Sequence, residues 1–280
     1  MLSSHTSFIG IDPTAARKPF TFAALDAECR LLSLDGCELD EVLAFVGGQE
    51  AATVAVNAPS APNGGLVKKK LEAQSLTPGY GSPKSGYHNG SPKSGYHYGS
   101  PKSGYHYPRS VDMRLAEYEL RQRGIVLSST PGRAESCPEW MKLGFMLYRK
   151  LAGMGFQPYP AENATHQWLE THPHAAFCAL LGQLPLSKPT LEGRLQRQLA
   201  LYEMGVGIKD PMYFFEEITR HRLVKGILPL EAIYTPEQLD ALVAAYTAYV
   251  AANKPDEILF IGAKEEGRIA LPVGELKERY

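Results

Sequence analysis

The chain has 280 residues, 44% of them hydrophobic and 21% charged, with a formal net charge of −1. That is enough for one large core or two small ones, and the composition excludes a chain too polar to fold. No apolar run approaches the roughly 20 residues of a membrane helix. The opening Met1-Leu2-Ser3-Ser4-His5 lacks the basic-then-apolar order of a signal peptide. Cys29, Cys37, Cys137 and Cys178 are too scattered for a zinc site or a disulfide framework. A reducing, cytoplasmic location is therefore expected.

The first predicted element is the buried strand Ser7-Phe8-Ile9-Gly10-Ile11-Asp12, stopped by Pro13. Alternation puts Phe8, Gly10 and Asp12 on one face, so Gly10 clears space beside Asp12. An anionic group there must be solvated, paired or metal-bound. Asp12 fits either a turn carboxylate before Pro13 or a metal ligand. Pro19–Leu25 and Arg30–Leu34 read as second and third strands. Their short connections favour an antiparallel meander. Leu39, Val42, Leu43 and Val46 follow helical spacing up to Gly47-Gly48. The strand Ala52–Val56 comes next, and the intervening helix makes it parallel to the first. Asn57 then falls at the same sheet edge as Asp12.

Residues 81–107 are three near-perfect copies of a nine-residue unit, Gly81 to Asn89, whose last position becomes Tyr98 and Tyr107. They carry no aliphatic side chain, so a disordered or loosely turned insertion spanning 79–108 is expected within a single domain of residues 1–280. Between Leu66 and Ser110 seven Lys and Arg side chains oppose Glu72 alone, which leaves the remaining chain acidic. Lys, Tyr and His together suit single-strand binding, but a tandem duplication tolerated in a loop is the reading preferred for them.

A helix is predicted from Val111 to Gly124, rich in Arg at its polar positions, and a longer amphipathic one from Pro138 to Gly155. The strand His166-Gln167-Trp168-Leu169-Glu170 is stopped by Pro173 and repeats the Asp12 pattern of an acid ending a buried strand. Leu191 to Met204 reads as a helix with Arg194 and Arg197 on its polar side. Thr235-Pro236-Glu237-Gln238 is a strong helix start. In that helix Asp240, Ala244 and Thr247 form a stripe of small or polar residues that permits close approach to the sheet. Ile258–Gly262 and Arg268–Pro272 read as two short strands.

This order of elements resembles the ribonuclease-H-like fold, a mixed five-stranded α/β sheet with an antiparallel meander followed by parallel strands. The motifs Gly10-Ile11-Asp12, Ala24-Leu25-Asp26, Val56-Asn57-Ala58-Pro59, Arg109-Ser110-Val111-Asp112-Met113-Arg114 and Glu170-Thr171-His172-Pro173 narrow the resemblance. With Lys188, Glu192-Gly193-Arg194, Asp240-Ala241-Leu242 and Glu266 to Pro272, they resemble the DUF429 family of predicted nucleases. The resemblance implies metal-dependent phosphodiester hydrolysis of DNA or RNA. Asp12, Glu170 and Asp240 would be the catalytic and metal-binding carboxylates for Mg²⁺ or Mn²⁺. Asn57 would be a fourth ligand, standing where the family's strand ends in Asp. Arg109, Arg114, Lys188 and His172 are the candidate substrate contacts. Two alternatives stand beside this reading. One is a non-catalytic nucleic-acid-binding protein with a degenerate site. The other is an actin-like phosphotransferase, for which Asn63-Gly64-Gly65 is the nearest phosphate-loop candidate.

Overall fold

The computed structural model describes residues 6–14, 19–75 and 112–280. The nine-residue repeats, Arg109 and the predicted helix start at Val111 lie outside the described residues.

The chain opens with β1 (Thr6–Pro13), β2 (Phe20–Leu25) and β3 (Leu31–Cys37), joined as the predicted antiparallel meander. Helix α1 (Leu39–Gly47) crosses to β4 (Ala51–Val56), which pairs parallel with β1 as expected. Helices α2 (Leu66–Ser75), α3 (Leu115–Gln122) and α4 (Glu139–Gly153) follow. After them come the two-residue β5 (Gln157–Pro158) and β6 (His166–Thr171), parallel to β4. Helices α5 (Pro173–Leu181), α6 (Leu191–Glu203), α7 (Tyr213–Glu216), α8 (Arg220–Val224) and α9 (Pro236–Asn253) precede the final hairpin of β7 (Leu259–Ala263) and β8 (Gly267–Leu271).

The expectation of five strands is corrected to eight. The sheet runs β3-β2-β1-β4-β6-β8-β7, with β5 also on β6. The C-terminal hairpin joins because β8 pairs parallel with Glu170 and Thr171, while β5 holds Gln167 and Trp168. No helix among the described residues is long and apolar enough to cross a membrane.

Two apolar layers cover the sheet. Ile9, Ile11, Val54 and Val56 face α1 and α4, through Val42, Val46, Leu147 and Leu151. Phe8, Ala23, Ala55 and Leu169 face α9. Helix α9 is buried nearly all round from Leu239 to Ala251, as a helix enclosed by other elements must be. Thr235 caps it, accepting from the Gln238 amide, while the Gln238 side chain accepts from the Thr235 amide.

Gly10 decides how close α9 comes. A Cβ there would collide with the Ala241 carbonyl and the Ala245 amide, and would lie 2.8 Å from the Ala244 carbonyl carbon. The helix backbone therefore rests directly on β1, one residue from Asp240 on one side and two from Asp12 on the other. Of the stripe Asp240, Ala244 and Thr247 expected from the sequence, only Ala244 is among the three nearest residues at this contact, where Ala241 and Ala245 join it.

Candidate active site

Asp12 ends β1 on the α9 face, and Asp240 is delivered by the first turns of α9. Both are buried, at 4% and 6% exposure, and both line an open cleft of about 400 Å³. Asn57 donates from Nδ2 to Asp12 Oδ1 at 2.7 Å. Its own backbone amide bonds the Ile11 carbonyl at 2.8 Å, continuing the parallel ladder by one step. Lys188 donates its ammonium to Asp240 Oδ2. The remaining wall includes His172, His174, Arg197, Glu237 and Trp140.

Burial pushes the Asp12 carboxyl up to about 7, and the neighbouring Asp240 adds to the rise, against the opposing pull of Asn57 and Lys188. Asp240 is also raised by burial, with Lys188 and Arg197 working the other way. Two carboxylates so close to each other in a dry site resist double ionisation. Burial works against the charge on Lys188, but the Asp240 carboxylate outweighs it and the ammonium is held above its usual range. The site thus keeps one cation on Asp240 and a readily retained proton on Asp12.

His172 caps the start of α5 through its backbone, without a side-chain capping bond. Its Nδ1 is shut off from solvent and has no hydrogen-bond partner among the described residues. Burial, then His174 and Arg114, lower its pKa to about 3, so the ring is neutral at physiological pH. Arg197 was read as lying on a polar helix face, yet it is 3% exposed. Its Nη1 donates to the Leu186 and Gly193 carbonyls at 2.9 and 2.8 Å, and its guanidinium lies over the Phe177 ring. No periodicity in α6 distinguishes it from Arg194, which binds the Ile233 and Tyr234 carbonyls instead.

Glu170 is not brought to this cleft beside Asp12. Val56 pairs with both Ile11 and Glu170, so Glu170 shares the Ile11 row while Asp12 belongs to the next one. Adjacent rows point to opposite faces. Glu170 turns to Arg114, accepting from Nη2 at 2.5 Å and Nη1 at 2.9 Å, and from the Ser60 amide at 2.8 Å. Arg114, expected on substrate phosphate, is 2% exposed. It also donates to Glu117 Oε1 at 3.0 Å and to the Glu266 carbonyl at 3.0 Å. Glu117 in turn accepts from the Thr130 amide and hydroxyl. Every nitrogen of that guanidinium is engaged inside the protein, which leaves none for a phosphate.

The loop Asn63-Gly64-Gly65 is closed as well. Glu266 accepts from the Leu66 and Leu115 amides, both at 2.9 Å, at the starts of α2 and α3. A protein carboxylate therefore stands where a phosphate loop would present free amides.

Among the described residues, no three His, Cys, Asp or Glu side chains gather closely enough to hold a metal ion by themselves. The carboxylates that do meet are Asp12 and Asp240, whose oxygens suit one hard divalent cation, while Asn57 presents its Nδ2 to Asp12. The raised Asp12 carboxyl and the Lys188 counter-charge are what such a set does when it must neutralise itself. The residues present fit one ion. They do not assemble the three carboxylates of a two-ion centre.

The architecture is a mixed α/β one, an eight-stranded sheet with the buried Asp12–Asp240 pair where β1 ends and α9 begins. The family model described as a protein of unknown function (DUF429) matches residues 10–266, and the chain belongs to that family. No curated protein and no solved structure matches the chain.

Proposed function

We propose that this protein is a metal-dependent phosphodiesterase acting on nucleic acid, built on a ribonuclease-H-like arrangement of β1, β2, β3, β4 and β6. The observation that carries the reading is the buried Asp12–Asp240 pair at the floor of an open cleft, with Asp12 pushed up to about 7 and Asp240 held by Lys188. Carboxylates kept so poorly solvated gain most from a divalent cation, and Asp12 and Asp240 would hold one Mg²⁺ or Mn²⁺, joined by Asn57 once its amide turns to present oxygen in place of Nδ2. Such an ion would neutralise charge on the scissile phosphate and favour hydroxide as nucleophile. Lys188, paired with Asp240 at the cleft, would be the cation available to a phosphate oxygen when a metal takes over the carboxylate. Neutral His172 lines the same cleft, but with its pKa lowered to about 3 and its Nδ1 enclosed it is part of the wall rather than a base.

The test is cleavage of a panel of single- and double-stranded DNA and RNA with Mg²⁺ or Mn²⁺. Wild type should cut at least one substrate, and Asp240→Asn should lose about 100-fold or more while its fold is retained. Equal cleavage by both proteins would remove the carboxylate pair from the mechanism.

One observation favours a second, non-catalytic reading: the third carboxylate expected at the site, Glu170, is consumed by Arg114. Metal-independent nucleic-acid binding with no cleavage of any substrate would be its signature.

A further inference from the structure

A second cavity lies on the free edge of β6, where the two strands that share that edge leave a gap. β5 pairs only with Gln167 and Trp168, and β8 only with Glu170 and Thr171. Between them, beside Leu169, opens a space of about 500 Å³. Its walls come from β6, Ser60, the segment at β5 and the β7–β8 hairpin, away from Asp12 and Asp240; the Glu170 carboxylate on the wall is already neutralised by Arg114.

The lining is an unusual mixture. Tyr159 and Phe260 stack nearly parallel, 18° apart with ring centroids 5.9 Å from each other. The Tyr159 hydroxyl is fixed on the Ala251 carbonyl at 2.5 Å, which holds its ring in place. Arg268 spreads its guanidinium over Phe260, 4.5 Å from the ring centre. Lys264 stands exposed at the rim. Neither cation meets a carboxylate within ion-pair distance among the described residues. Trp168, a further wall, keeps its Nε1 buried without a hydrogen-bond partner among the described residues.

We propose that this cavity binds a nucleotide, its base stacked on the Tyr159–Phe260–Arg268 platform and its phosphate held by Lys264 and the guanidinium edge of Arg268. Each part answers a feature on the wall. Aromatic rings stack bases, and arginine guanidinium planes add to that stacking. Two cations without a carboxylate partner call for an anion beside the stacked ring. A purely apolar ligand would leave both cations unused, and a bare anion would leave the rings unused. The volume suits one nucleotide, and pockets of roughly 300–1,000 Å³ are the usual size for small ligands. The site stands independently of the chemistry assigned to the Asp12–Asp240 cleft.

The same chemistry has two sources, a free mononucleotide and the terminal nucleotide of a strand. The experiment is isothermal titration of the full chain, without divalent metal, using adenosine 5′-monophosphate, adenosine, inorganic phosphate and a 5′-phosphorylated five-nucleotide DNA. The monophosphate should bind at least tenfold more tightly than adenosine or phosphate alone, and the affinity should fall with added salt. A stronger preference for the five-mer assigns the site to strand ends, and equal affinity assigns it to free nucleotide. Arg268→Gln and Lys264→Gln should each weaken binding about tenfold with an unchanged melting temperature, and Phe260→Leu should weaken it similarly. Asp240→Asn should leave it unchanged, which separates this site from the cleft. Failure of every probe to bind would overturn the proposal. So would binding that survives Arg268→Gln and Phe260→Leu but is lost in Asp240→Asn.

Discussion

The molecule buries two groups of carboxylates near the ends of its central strands, and it treats them in opposite ways. On the α4 side, Glu170 and Glu117 surround Arg114, and every polar atom of the guanidinium is used. On the α9 side, Asp12 and Asp240 have one ion-paired cation, Lys188, a more distant one, Arg197, and one amide donor, Asn57. The first group is closed and the second is open to a cleft. Burial of charge by itself therefore says little about function. A completed network welds α3, β6 and the β7–β8 hairpin together, whereas the uncompensated pair keeps a demand that a proton or a cation must meet.

The largest expected effect breaks the closed side. Arg114→Met leaves Glu170 and Glu117 buried without their counter-charge, at a cost of about 3–5 kcal/mol. Urea denaturation measures this directly, and a loss below about 1 kcal/mol would show that Glu170 finds other partners. Next in size is Gly10→Ala. The added methyl meets the α9 backbone, which has no rotamer to move, so a loss of at least about 1–3 kcal/mol is expected. The same change should push Asp240 from Asp12 and flatten the pH dependence that the pair creates.

The open side makes a signed prediction for pH. The folded-state pKa of Asp12 is raised above its unfolded value, so folding holds the proton more tightly. Its stabilising contribution is complete below about pH 4 and is lost as pH rises through about 7. Asp12→Asn removes that loss. The variant should gain stability relative to wild type steadily between those limits, on the order of 2 kcal/mol by pH 8 without metal. His172 acts in the opposite direction, because its lowered pKa withdraws stability as pH falls below about 6.5 toward 3. Only the difference between the two proteins isolates Asp12, and a constant difference across the range would show that Asp12 stays ionised. The smallest effect belongs to Lys188→Gln. Removing the resident ammonium should destabilise the metal-free protein by about 1 kcal/mol. It should also raise Mn²⁺ affinity severalfold, because nothing then competes for Asp240. Weaker Mn²⁺ binding in this variant would make Lys188 a helper rather than a competitor.

Much of this architecture is legible in the sequence because it follows from local patterns. The runs ending at Asp12, Leu25 and Val56 are strands, the short turns dictate the meander, and the Thr235 capping box opens α9. The meeting of Asp240 with Asp12 is foreshadowed by Gly10 and the small residues around Ala244. Strand register is not legible. Asp12 and Glu170 look alike as acids closing buried strands, yet a one-residue offset across β4 sends them to opposite faces. Arg114 and Arg197 read as solvent-facing for a related reason. A charged residue in a helix signals a wet face until a distant carboxylate, carbonyl or ring supplies its partner. The pairing of β8 with β6 also rests on contacts about 100 residues apart, beyond any local signal.

The difference between the two carboxylate groups is tested most directly by counting manganese. Mn²⁺ titration at pH 7.5, followed by loss of the free-ion electron paramagnetic resonance signal, should give one ion per wild-type chain. Asp240→Asn should weaken that binding at least tenfold, while Glu170→Gln, checked for retained fold, should bind as wild type does. Two ions per chain, or equal losses in the two variants, would contradict the division between an open pair and a closed network.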